Sequence, residues 1–134
     1  TASNSHPACP VSDINDGNPS ESSRWAASDS TLPAWVEIDL GTPTRVNTLV
    51  LSENIVPEWA TARISEFALQ KWNGSAFETV FTFQGTIGDE HIFKFDTIES
   101  EKVRILISAL RPDTSINSAG QTDPSLTEIE LYCY

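Results

Sequence analysis

"WVEIDL", residues 35–40, alternates apolar and acidic side chains: Val36, Ile38 and Leu40 fall on one face, Glu37 and Asp39 on the other. A period of two over six residues marks a strand with one face on a core and one toward water. The pattern recurs along the chain. "AFETVFTF" (76–83) sets Phe77, Phe81 and Phe83 on one face, and "KVRILI" (102–107) does the same with Val103, Ile105 and Ile107. "LTEIELY" (126–132) turns Ile129 and Leu131 inward, while "VNTLVL" (46–51) ends apolar on both faces, as a central strand does. Helical periodicity is scarce.

Turn chemistry separates these runs. "WNGSAF" (72–77) holds Asn73-Gly74, a strong hairpin signal because both turn positions favour positive φ. The same Asn-Gly-Ser is formally a glycosylation sequon, which a tight turn explains without a sugar. Gly41-Thr42-Pro43, Pro57, Gly85, Gly88, Pro112 and Pro124 punctuate the rest. Seven or eight short strands joined by turns describe an all-β chain, an antiparallel β-sandwich. Segment 1–24 carries few strand signals and calls for anchoring by something other than a ladder.

The 134 residues are read as one domain spanning 1–134. The chain opens on Thr1 and contains no methionine, so it is expected to be processed or part of something longer. Its formal charge of −11 disfavours nucleic acid, which needs clustered Lys and Arg, and lowers the expectation of anionic lipid. Two cysteines, Cys9 and Cys133, and two histidines have no familiar metal-ligand spacing. A disulfide tying the first segment to the last strand is the expectation, with an oxidising compartment (periplasm, cell surface or medium); two buried free thiols are the alternative.

"DINDGNPSESSRW" (13–25), "AWVEIDLG" (34–41), "RVNTLVLSE" (45–53), "RISEFALQKWNGSAFETV" (63–80), "KVRILIS" (102–108) and "SLTEIELYC" (125–133) together resemble a discoidin, or coagulation-factor type C, domain. The resemblance covers nearly the whole chain in order. It extends to the family 32 carbohydrate-binding modules appended to secreted bacterial glycosidases, α-L-fucosidases in particular, through "LSENI", "ARISEF" and "TIGDEHIFKF". The chain departs from that version with Thr61-Ala62-Arg63 in place of Gly-Gln-Arg and with an inserted "VPEWA" at 56–60. The resemblance implies a jelly-roll, galactose-binding-domain-like sandwich, non-catalytic and extracellular, periplasmic or cell-surface. It implies framework roles for Trp25 and Trp35, and it matches members whose terminal cysteines join first and last strands.

Such modules commonly carry a structural calcium near the Asp-Gly turn. The chemistry agrees: calcium takes six to eight oxygens, and Gly17 lets the chain fold back so that nearby donors converge. The candidate ligands are Asp13, Asp16, Asn18, Ser23 and, from the last strand, Glu128. A metal-free Asx-turn loop is the alternative.

In an antiparallel sandwich successive connections alternate between ends. Loops 26–34, 52–62, 84–90 and 109–124 are therefore assigned to one end, and the hairpins 41–45, 73–75 and 96–101 to the other. Long loops on a rigid scaffold are where recognition sits. A sugar needs an aromatic face and fixed polar groups. Trp59 is the aromatic candidate; Glu53, Asn54, His91, Arg111, Arg63 and Asp29 are the polar ones. His91 alternates with Phe93 and Phe95 and has a core-rim alternative, Arg63 an ion-pair one and Arg111 a solvated one. Trp72 borders the opposite hairpin and is read as a packing or isolated surface residue.

No Ser or Cys stands in a signature with either histidine, and no carboxylate pair is marked out, so an enzyme is not expected. The reading is a carbohydrate-binding module, expected to be monomeric, that holds a linked catalytic domain near its glycan. A discoidin-like adhesion module for membrane or protein, with Trp59 and Leu32 as apolar tips, and a purely structural accessory domain are the alternatives.

Overall fold

The computed structural model describes residues 1–20, 22–56, 61–111 and 123–134. A 3-10 turn, Val11–Asn15, precedes six strands: β1 (Trp25–Ala26), β2 (Ala34–Glu53), β3 (Ile64–Trp72), β4 (Phe77–Gln84), β5 (His91–Leu110) and β6 (Ser125–Tyr132). They are hydrogen-bonded in the order β1-β6-β2-β5-β3-β4, every pairing antiparallel.

β2 and β5 are each 20 residues long and form a ribbon that serves both layers. Residues 34–39 of β2 pair with 102–107 of β5, and 48–51 pair with 91–94, with register shifts between Asp39/Thr44 and Val46/Thr48. β3 joins only the 103–110 half of β5, whereas β6 joins only the 48–53 half of β2. The ribbon thus turns a corner in its middle and lays one half over the other. One hydrophobic cluster contains Val36, Phe67, Leu69, Ile105 and Ile107 from the first layer together with Leu49, Leu51, Phe93, Leu126 and Ile129 from the second. This is the expected antiparallel β-sandwich.

Among the described residues there are six strands where seven or eight were expected, because segments 41–45 and 96–101 are corners within the continuous β2 and β5 and not hairpins between separate strands. The Gly-Thr-Pro of 41–45 breaks the apolar alternation but not the ladder: Thr44, Arg45 and Val46 still pair with Ser100, Glu99 and Ile98. Gly41, at φ 77°, makes the bend, and its N–H donates to Asp39 Oδ1 at 2.8 Å. The β3–β4 hairpin closes as anticipated, with Asn73 Oδ1 accepting the N–H groups of Ser75 and Ala76 at 2.9 Å each.

Trp25 is fully buried, its indole N–H donating to Asn4 O at 3.0 Å. Trp35 departs from the expected core role. It alternates with buried Ala34 and Val36 and so faces outward, under the Arg104 guanidinium at 4.5 Å. Phe77 also changes face. A bulge opposite Leu69/Gln70 inserts one residue in β4, leaving Phe81 and Phe83 against Phe67 in the core, while Phe77 packs outside on Trp72 and Arg104.

The N-terminal segment is held partly by a ladder after all. Ala2 bridges Val36, Ser3 N–H donates to Trp35 O at 2.8 Å, and the Thr1 ammonium donates to Glu37 O at 2.9 Å.

Candidate functional site

Glu53 ends β2 and is 4% exposed. Its Oε1 accepts the backbone N–H groups of Arg63 at 2.8 Å and Ile64 at 2.9 Å, and its Oε2 accepts that of Gly88 at 3.2 Å. One carboxylate therefore ties the strand end to the start of β3 and to the loop before β5. Burial pushes its proton affinity up, opposed by those three N–H groups and by the Arg111 charge. Arg111 binds the same loop from the other side: its guanidinium donates to Gly85 O at 3.2 Å and to the Thr86 hydroxyl, and its N–H to Arg63 O at 2.7 Å. Arg63 is buried and donates from Nη1 to Asp123 O at 2.8 Å. Burial weakens its hold on its proton, and the Asp123 and Glu53 charges oppose that. Asp29, whose Oδ1 accepts Thr31 N–H at 2.8 Å, is close enough to raise Asp123, though less than burial does.

Residues from the four long loops do meet at one end. At the other, Trp72 N–H donates to Ser100 Oγ at 3.0 Å, and Pro43, Asn73, Glu99 and Glu101 share one depression. The roles differ from those assigned by sequence. Glu53, Arg63 and Arg111 bind the scaffold's own backbone, because strand ends leave N–H and C=O groups that burial requires to be paired. His91 lies stacked on Phe93, ring centroids 4.3 Å apart, and contacts Phe83, which is the core-rim alternative. Trp59 lies outside the described residues.

Asn54 is 4% exposed, and its Oδ1 is buried without a hydrogen-bond partner. It lines a cleft of about 330 Å³ with Ser52, Glu53, Asp89, Glu90 and Thr127. Asp89 and Glu90 were not among the sequence candidates. Their signal was two adjacent acids in a loop already assigned to this end.

Around Gly17, at φ 77°, a second group of oxygens gathers. Asp16 accepts Ser23 Oγ–H at 2.5 Å and Asn18 N–H at 2.9 Å, which together hold its carboxyl below the usual range. Glu128, 4% exposed, accepts Gly17 N–H at 3.1 Å. Burial pushes Glu128 up, and the neighbouring Asp16 and Glu130 charges push it further. Asn18 Oδ1 accepts Ser20 N–H at 3.3 Å, and among the described residues Asp13 accepts only the adjacent Ser12 hydroxyl at 3.0 Å. Asp16, Asn18, Ser23 and Glu128 are thus brought together and Asp13 is not. Among the described residues no three His, Cys, Asp or Glu side chains form a metal-binding group. Two mutually repelling carboxylates with a hydroxyl and an amide oxygen nonetheless fit a hard cation completed by carbonyls or water.

The expected Cys9–Cys133 bridge is not formed; both are free thiols. Cys9 O accepts Ala26 N–H at 3.3 Å, and Ala26 pairs with Ser125 at the start of β6. Cys133 follows the far end of β6, about 25 Å away at roughly 3.3 Å per residue, whereas a disulfide needs Cα atoms within about 7 Å. The expectation failed because closeness to the chain ends does not put two residues at the same end of a strand.

Among the described residues neither imidazole shares a hydrogen bond with a serine hydroxyl or a cysteine thiol; His6 Nδ1 accepts Ala8 N–H at 3.2 Å, and the His6 carbonyl accepts the Cys9 backbone N–H at 2.9 Å.

The fold recurs in solved structures. SpGH29 superposes with a TM-score of 0.78 at 24% identity over 98% of this chain, which spans only 26% of that one. Chitosan-binding module 1, derived from a chitosanase/glucanase of Paenibacillus sp. IK-5, superposes at 0.73 with 25% identity, covering 99% and 92% of the two chains. The family 32 module of C. perfringens NanJ, in complex with galactose, gives 0.76 at 18% identity, covering 98% and 90%. No curated protein shows a significant sequence match. The family model described as "NedA-like, galactose-binding domain" matches residues 13–105. The chain belongs to that F5/F8 type C family.

Proposed function

We propose that the chain is a non-catalytic carbohydrate-binding module, binding its glycan at the long-loop end of the sandwich. The observation that carries this is the convergence of Glu53, Arg63, Gly85, Gly88, Arg111 and Asp123 at one end of the sandwich, beside the Asn54 cleft. A rigid end with a polar recess is what sugar hydroxyls require, because fixed donors and acceptors bind them without further ordering cost. The family membership supports the reading, as do similar modules whose names record chitosan binding or a galactose complex. Trp59 supplies the ring face for stacking.

Asp16, Ser23 and Glu128, with oxygens of Asn18, hold a structural calcium that neutralises the paired carboxylates and fixes the N-terminal segment to β6. The module works outside the cytoplasm, joined to a glycan-active enzyme that it keeps near its polymer. This is supported by the SpGH29 and fucosidase chains, in which the similar region is about a quarter of the length.

Glycan-array binding followed by affinity electrophoresis tests the reading. Wild type is retarded by at least one immobilised glycan and Trp59→Ala is not. Absence of binding to any plant, algal, microbial or animal glycan overturns it.

A further inference from the structure

The outer face of the β6-β2-β5 layer holds a depression of about 290 Å³, lined by buried Thr48 and Val50 and by exposed Ile92, Lys94, Tyr132 and Tyr134. Among the described residues four large apolar side chains are exposed. Three of them stand here: Ile92 at 54%, Tyr132 at 40% and Tyr134 at 85%. Tyr134 is held in place, since Asn47 Nδ2 donates to its carbonyl at 2.8 Å and Asn47 Oδ1 accepts its N–H at 3.1 Å. Its ring lies 5.6 Å from that of Tyr132.

The strand register sets the pattern on this face. One row reads Lys94, Thr48, Tyr132 and the next Ile92, Val50, Glu130. Residues directly opposite in a ladder share a face, so these six point outward while Leu49, Phe93 and Leu131 point to the core. Apolar Ile92 and Tyr132 thus occupy one diagonal, and Lys94 and Glu130 the other. Neither charge makes an ion pair among the described residues. The following row is already covered: Glu128 is 4% exposed and accepts Gly17 N–H.

Unlike charges on one diagonal and apolar groups on the other are self-complementary under a two-fold axis. When the axis lies in the face and crosses the charged diagonal at right angles, each Lys94 falls on the other copy's Glu130. Ile92 and Tyr132 then fall near their own equivalents. We infer that this face pairs with a second copy of the chain. The patch is small, so the pair is transient and the monomer expected from sequence is its dissociated form. Two copies present two long-loop ends to one polymer and gain avidity. That consequence alone rests on the carbohydrate-binding reading; the pairing does not.

Sedimentation equilibrium of the intact chain tests it at about 0.15 M salt, where a Debye length of about 8 Å screens the net charge of −11. Wild type is expected to run as a dimer at high concentration and to dissociate on dilution. Ile92→Glu weakens association at least about tenfold and leaves Tm unchanged, because that side chain is more than half exposed. Lys94→Glu and Glu130→Lys each weaken it about tenfold. A mixture of these two single variants pairs as tightly as wild type, because each then meets the opposite charge at both positions. A wild type that stays monomeric up to about 1 mM overturns the inference, as does undiminished pairing of Ile92→Glu or a mixture that fails to recover. A monomer whose Ile92 methyl resonance shifts on adding a glycan assigns the face to sugar and overturns it too.

Discussion

Replacing Glu53 by alanine leaves the N–H groups of Arg63, Ile64 and Gly88 without their acceptor, in a place that is 4% exposed. Hydrogen bonds to a charged group contribute about 1.5–3 kcal/mol each, and the 3.2 Å contact to Gly88 belongs at the low end. Against that sum stands the relief of burying a carboxylate, the same desolvation that pushes Glu53 up. Water entering the vacated space satisfies some of the orphaned donors. The net cost is about 3 kcal/mol, or roughly 10 °C in Tm for a domain of this size. Glu53→Gln keeps one acceptor oxygen but turns an amide N–H toward another donor, so it costs about half as much. Urea unfolding followed by tryptophan fluorescence measures both variants, and amide exchange reports the three N–H groups directly. A cost below about 1 kcal/mol for Glu53→Ala, or unchanged protection at residues 63, 64 and 88, would refute the role of this carboxylate as the tie between loops.

Glu128 gives a pH signature. Its folded pKa lies above the ordinary one, so the folded chain holds more protons as pH rises through the carboxylate range, and this group's contribution to stability falls across that window. Without calcium, Glu128→Gln removes that decline; with calcium the slope reverses, because the metal requires ionised ligands, and chelator lowers Tm in wild type but not in Asp16→Asn. A Tm indifferent to chelator, with no metal found by assay, ends the calcium proposal. Thiol titration of the unfolded chain without reductant returns two free cysteines, and reductant leaves Tm unchanged; a single bridged species contradicts the strand geometry. Arg104→Lys keeps the charge but loses the stacking on Phe77 at 3.7 Å and Trp35 at 4.5 Å and the 3.1 Å bond to Glu37, costing about 1–2 kcal/mol by urea unfolding. A change under about 0.5 kcal/mol means the outer face contributes little.

Alternation was enough to place Val36, Ile105, Ile107 and Ile129 inside, because side-chain direction along a strand is a local consequence of the pleat. It also held the answer for Trp35, one residue out of phase with Val36, which the family resemblance had assigned to the core. Phe77 could not be read this way: the bulge that turns it outward depends on how β4 meets Leu69 and Gln70 on another strand. The corner at 41–45 looked like a chain reversal, since Gly and Pro interrupt a pattern equally whether or not a partner strand keeps pairing. At the loop end, strand order sufficed to gather Glu53, Arg63 and Arg111 at one pole. Which of them bind backbone and which face a cleft was decided by burial, because a buried N–H or C=O takes the nearest partner whatever its sequence distance. Local periodicity thus determined the layers and poles of this protein, while register, bulges and the pairing of distant polar groups, all of them contacts between segments far apart in the chain, were settled only by the assembled sandwich.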